Sequence, residues 1–370
     1  MQANNQAAKI GAVCIGVVSI LAMVGWFVWP GPKIQEKKEL RLIQEHFDAN
    51  RLDDAISKAN EGLSRNPKSV DLLIAKAIAT AQKGSLTFQE KELGGQAAIL
   101  ANQAIQLDPR NSEAYRVLAY AYEIQEEYSK AHENYQKSLG FDPKNVAALY
   151  GDGHSYDLEG NGEKASEKYQ AALAVNGSFS PAYVGMARIS LQNNNPEKAL
   201  EMYQKSIEYT ANARIKSESA SAMTLIYLSK GDVENAMNYS KQAIEFDNTY
   251  SSAWYVQGTT LFVDSFNKKK YPEIGTRNEM IKQSLENLGK AVSLNPNQAA
   301  AYLQIGTELS AIGRSDGAAV IFEKGLKTIE KDITLSAADK VSMREKFINA
   351  KELMVKVEAV RNKKPAPIKS

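Results

Sequence analysis

Cysteine and histidine are nearly missing from these 370 residues. The one cysteine, Cys14, lies in an apolar run, and a lone thiol makes neither an internal disulfide nor a Cys-based zinc site. Three histidines, His46, His132 and His154, are too few for a His-rich metal centre. There is no surplus of either charge: 45 Lys+Arg against 43 Asp+Glu leave a net +2. That lacks the basic excess of a general nucleic-acid binder. No P-loop, G-x-S-x-G, H-E-x-x-H or dinucleotide fingerprint is present, so catalysis finds no footing. The expectation is a non-enzyme with no cofactor, no metal, no nucleic acid and no small-molecule substrate. With 44% hydrophobic and 24% charged residues, the chain is nevertheless a folding one.

One long apolar run is present. Ile10 to Trp29 is twenty residues without a charge. As a helix it measures about 30 Å, the thickness of a bilayer's hydrocarbon core. Trp26, Phe27 and Trp29 cluster at its second edge, where aromatic rings favour the membrane–water interface. The run ends Phe-Val-Trp-Pro, without a small-residue cleavage pattern. An uncleaved single-pass anchor over 10–29 is therefore expected, after a short tail at 1–9 and before a linker at 30–35, with the bilayer as one partner. Its orientation stays open. Lys33, Lys37, Lys38 and Arg41 favour a cytoplasmic C-terminal part by the positive-inside count. The absence of cysteine beyond the run suits an extracytoplasmic one, and the expectation leans that way.

Beyond the run the apolar pattern is helical and it recurs. Residues 112–145 place Tyr115, Leu118, Ala119, Tyr122, Ala131, Tyr135 and Pro143 at fixed spacing in a 34-residue unit. This resembles the tetratricopeptide repeat. The register extends to units at 36–69, 70–111, 112–145, 146–179, 180–213, 217–250, 251–298 and 299–332, with insertions in the second and seventh and before the sixth. Position 20 is Ala55, Ala97, Ala131, Ala165, Ala199, Ala236, Ser284 and Ala318; position 27 is Gly62, Ala104, Ser138, Ala172, Ser206, Ala243, Ala291 and Gly325. Small side chains there allow two helices to approach closely. Pro67, Pro109, Pro143 and Pro296 end second helices, and Gly84, Gly160, Gly231 and Gly313 mark turns within pairs. A helix over 335–361, with Met343, Phe347, Ala350, Met354 and Val357 on one face and a capping box at Ser336 and Asp339, covers the last unit. A basic tail follows at 362–370.

The resemblance implies an all-α, right-handed solenoid of eight helix pairs with a C-terminal capping helix, beside the transmembrane helix. It also implies a binding scaffold, whose first helices line a concave groove that takes a partner's peptide or helix. By family analogy the groove candidates are Arg116, Tyr120, Tyr150, His154, Arg188 and Tyr255, with Glu123 and Asp157 at groove positions beside them. The family's carboxylate-clamp set of Lys and Asn is missing. The expected function is a membrane-anchored scaffold, bacterial in style. The alternative is an assembly or chaperone factor for an envelope secretion, pilus or polysaccharide-export machine. Two features depart from the pattern. Asp152, between Gly151 and Gly153, replaces a large apolar residue; it reads as a locally shifted, partly solvated helix or as a functional bend. The insertion at 265–278 is basic and reads as a solvated loop, or as one that touches lipid headgroups or an acidic partner.

Overall fold

The computed structural model describes residues 32–361, apart from 50, 88, 333, 334 and 336. The expected anchor at 10–29, the tail at 362–370 and Ser336 lie outside the described residues. Among the described residues no helix is long and apolar enough to cross a membrane. Among them stand 17 α-helices, one 3-10 helix and no strand. They divide into two compact units, 32–209 and 210–361.

The first unit holds five helix pairs: α1 Pro32–Asp48 with α2 Leu52–Arg65, α3 Val70–Thr87 with α4 Glu90–Leu107, α5 Ser112–Glu123 with α6 Tyr128–Phe141, α7 Val146–Leu158 with α8 Gly162–Val175, and α9 Ser180–Gln192 with α10 Pro196–Tyr209. Each second helix also touches the next first helix, and α1, α3, α5, α7 and α9 touch in sequence, so the first helices form a row. The second unit holds α11 Ala213–Ser229 with α12 Val233–Phe246, α13 Ser251–Ser265 with α14 Ile274–Leu294, and α15 Ala299–Ala311 with α16 Ser315–Thr328. A 3-10 turn, Ile329–Lys331, leads to α17 Ala337–Arg361, which packs on α15 and α16. Both units are tetratricopeptide-like stacks of helix pairs.

Local chemistry explains the boundaries. Asn111, Asn145 and Asn212 precede first helices, and each side-chain oxygen accepts from the backbone N–H three residues on. That satisfies a donor the helix start leaves free. Pro67, Pro109, Pro143 and Pro296 each stand two residues past a second helix. Gly160, Gly231 and Gly313 take φ of +81°, +73° and +86° in turns, a conformation that costs glycine little. Gly84 differs: it lies inside α3, which the insertion in this unit lengthens to Thr87. Residues 32–35, expected as linker, form the first turn of α1, because the fixed φ of Pro32 suits a helix start.

The small residues at positions 20 and 27 are all buried. Ser112, Ser180 and Ser217 close their pairs by donating from Oγ to the carbonyls of Ser138, Ser206 and Ala243, each 26 residues on. Met343, Phe347 and Met354 of α17 are buried in one core with Tyr302 and Phe322, covering the last pair as expected of a cap.

A polar wall on consecutive first helices

Five of the six groove candidates fall on α5, α7 and α9, three neighbours in the row. Glu123 ends α5 and reaches across to α7. Its Oε1 lies 3.0 Å from His154 Nδ1, while its Oε2 accepts from Ser155 Oγ at 2.6 Å and from Tyr135 Oη at 3.3 Å. One junction further, Asp157 of α7 meets Arg188 of α9. Arg188 donates to Asp157 Oδ2 from Nη2 at 2.7 Å and from Nε at 3.2 Å, and Gln192 donates to Oδ1 at 3.2 Å. Both links join residues 31 apart. Position 12 of one unit supplies the acid and position 9 of the next supplies the base. The rungs thus clamp successive first helices at a constant offset.

Aromatic rings fill the space between rungs. Tyr150 lies 6.0 Å from the His154 ring, 5.4 Å from Tyr169 and 5.6 Å from Phe179, between centroids. Tyr169 Oη is 3.4 Å from Arg188 Nη2. Burial works against the charge on Arg188, but Asp157 outweighs it and holds the guanidinium well above its ordinary value. Burial pushes the Tyr135 and Tyr169 hydroxyls well up, so both stay neutral hydrogen-bonding groups.

Arg116 differs from the rungs. It is fully buried, and its Nη2 donates to Glu113 Oε1 at 2.5 Å. Burial opposes its charge and Glu113 restores it, raising the guanidinium above its ordinary value. Its Nε and Nη1 are buried with no hydrogen-bond partner. Two charged guanidinium nitrogens without acceptors are costly, and most such groups in proteins are paired. Tyr120 follows one turn later on α5 and is also buried.

The structure therefore brings Arg116, Tyr120, Tyr150, His154 and Arg188 onto one wall, where all five are buried. Arg188 and His154 act as rungs. Tyr255 lies in the other unit, half-buried against the core of Ala300, Tyr302 and Phe322. Sequence reasoning passed over Glu123 and Asp157 as binding partners of the wall itself. The readable signal was an acid and a base 31 residues apart, repeated at two junctions.

Asp152 is neither solvated nor on a displaced segment: it is fully buried in an unbroken α7. His132 Nδ1 lies 2.6 Å from its Oδ1, Gln136 Nε2 donates to Oδ2 at 2.7 Å, and Lys168 Nζ stands 3.1 Å from Oδ2. The other ring nitrogen of His132 is 3.0 Å from Glu159 Oε2, and Tyr156 stacks on the ring at 3.9 Å. A carboxylate at each nitrogen favours the charged form of the imidazole. Burial lowers its pKa, but Asp152 and Glu159 more than compensate and it rises. Among the described residues no group of three or more His, Cys, Asp or Glu side chains could hold a metal ion.

Comparison with known proteins agrees with the fold. Tetratricopeptide-repeat family models match residues 100–133, 180–212 and 225–250, so the chain carries tetratricopeptide repeats. No curated protein matches the sequence. The fold is similar to the crystal structure of the APC/C hetero-tetramer Cut9–Hcn1, with a TM-score of 0.57 and 14% identity over 88% of this chain. The chain spans 57% of the length of that protein. It is also similar to yeast Tom70, with a TM-score of 0.57, 16% identity, and coverage of 96% of this chain and 71% of that one. At these identities the likeness is one of fold. Tetratricopeptide folds typically serve as protein–protein interaction scaffolds and are typically not enzymes.

Proposed function

We propose that the row of first helices in the 32–209 unit receives a segment of a protein partner, and that Arg116 meets a carboxylate of that segment. The observation that carries this reading is the buried Arg116 guanidinium with Nε and Nη1 unpartnered. An Asp or Glu side chain, or a chain terminus, supplies paired oxygens that accept from the guanidinium fork; because Arg116 is fully buried, the reading requires the side chains over it to move aside on binding. Tyr120 and Tyr150 are buried behind the wall and pack it from within rather than offering contact area. The Glu123–His154 and Asp157–Arg188 rungs hold the wall in shape beforehand, which lowers the ordering cost of binding.

In the same reading, the uncharged run at 10–29 tethers the scaffold to a bilayer, with the repeats on the extracytoplasmic side. Confinement to a surface raises the effective concentration of a partner held there. Retention of the chain in the membrane pellet after alkaline carbonate extraction supports the tether; release into the supernatant contradicts it.

Peptide selection against the full chain tests the wall. Enrichment of Asp or Glu, with roughly tenfold weaker binding by Arg116→Gln, is the expected result for a charge-assisted bond. Selected peptides with no acidic preference, bound equally by Arg116→Gln, contradict the assignment.

A further inference from the structure

The loop between α13 and α14 belongs to the longest insertion in the repeat register, and it is tied down from within. Asp264, 3% exposed, pairs with Lys270 Nζ at 3.0 Å and accepts from Tyr271 Oη at 2.8 Å. Asn267 Oδ1 accepts from the Lys270 backbone N–H at 3.0 Å, and the Asn267 carbonyl accepts from that of Tyr271 at 2.8 Å. Arg277 Nη1 donates to the carbonyls of Tyr271 and Pro272 at 2.8 and 3.1 Å. These bonds fix the loop in one shape and leave its apolar and basic side chains outside. Phe266 is 58% exposed and Ile274 is 68% exposed. Lys268 and Lys269 are exposed, and among the described residues their ammonium groups form no ion pair or hydrogen bond. Lys270 is engaged by Asp264 and Arg277 by carbonyls, so only Glu273 opposes the two free ammonium groups.

We infer that this loop docks on an anionic lipid surface, with Phe266 and Ile274 entering the interface and Lys268 and Lys269 meeting headgroup phosphates. Two observations favour lipid over an acidic protein. Exposed apolar side chains on a loop enter a bilayer interface that yields around them, whereas a protein partner must present matching pockets. Lysine is a point charge on a flexible stem, suited to a diffuse layer of headgroups; the loop's one arginine, which would suit bidentate protein carboxylates, is used internally. The inference needs neither the 10–29 tether nor the Arg116 wall.

The test uses the full chain carrying Cys14→Ser and Thr276→Cys, with a polarity-sensitive fluorophore at 276, an exposed position beside Ile274. Vesicles of phosphatidylcholine, with and without phosphatidylglycerol, are added. The expected result is a blue shift only with phosphatidylglycerol, reversed by high salt. Lys268→Glu with Lys269→Glu reduces the response roughly tenfold. Phe266→Ser with Ile274→Ser keeps a salt-sensitive association but loses the blue shift. All four positions are exposed, and the lipid and salt dependence of the parent chain tests the idea without any variant. Equal shifts on neutral and anionic vesicles, no shift on either, or a shift with soluble polyglutamate and not with vesicles overturns it; the last points to an acidic protein.

Discussion

At the scale of single residues, two titratable groups, the buried Glu308 and the half-buried His132, make stability vary with pH. Glu308 of α15 sits where the second to seventh units carry Ala79, Ala121, Ser155, Ile189, Ile226 and Thr260. Burial pushes its carboxyl up to about 7, partly offset by Gln304 and Ser284, and its Oε2 has no partner. Ser284 Oγ lies 2.7 Å from the Gly258 carbonyl and 2.9 Å from Glu308 Oε1. Gln304 Nε2 donates to the same Oε1 at 2.9 Å, so burial is opposed at one oxygen only. The unfolded chain ionises Glu308 near 4.5, whereas the folded chain holds the proton to about 7. Stability therefore falls as pH rises between those values, by about 3 kcal/mol in all. Glu308→Gln should remove this slope and raise Tm at pH 8; an unchanged slope would show that Glu308 ionises without cost.

His132 adds a loss in a different window. Its folded pKa is raised, so its contribution is fully present below the unfolded value of 6.5 and fades as pH climbs through the folded one. His132→Asn should flatten the decline of Tm above neutrality. Asp152→Leu restores the apolar residue usual at that place but removes the carboxylate from Lys168, Gln136 and one nitrogen of His132, which keeps only Glu159. Its expected cost is about 3 kcal/mol in urea unfolding. A neutral outcome would mean that the cluster's desolvation cost matches its attraction.

At the scale of helices, aromatic rings of one helix seat on glycines of another. A Cβ at Gly151 would lie 2.5 Å from the Tyr135 ring, at Gly185 2.5 Å from Tyr169, and at Gly306 2.3 Å from Phe322. Helix propensity alone favours alanine by about 1 kcal/mol. At Gly151 overpacking wins, and Gly151→Ala should destabilise by about 1–3 kcal/mol. At Gly140, in the last turn of α6, nothing lies within 4 Å, so Gly140→Ala should stabilise by roughly 0.5–1 kcal/mol. Urea denaturation of both variants checks the opposite signs.

Much of this element structure was legible in the sequence, because it rests on local chemistry. The small residues at positions 20 and 27, the prolines two residues past second helices and the three left-handed glycines stand where steric rules put them. Gly84 misled because an insertion can lengthen a helix as readily as a turn, and spacing does not separate the two. Of the wall, residue types at groove positions were legible, but their pairing was not. A rung needs two side chains from different units to meet, and that follows from how neighbouring first helices pack. Asp152 misled for the same reason: its partners, His132, Gln136 and Lys168, come from the helices on either side.

At the scale of the molecule, two stacks of helix pairs each carry their own core. The first presents a wall whose ion pairs are satisfied at two junctions and whose Arg116 retains two donors without acceptors. The central claim is that these donors recognise a partner carboxylate. A double-mutant cycle tests it most directly: calorimetric binding of a selected acidic peptide and its Asp→Asn counterpart, each to the full chain and to Arg116→Gln. The account predicts a coupling of about 1.5–3 kcal/mol between Arg116 and the peptide carboxylate. Additive effects, with no coupling, would contradict it.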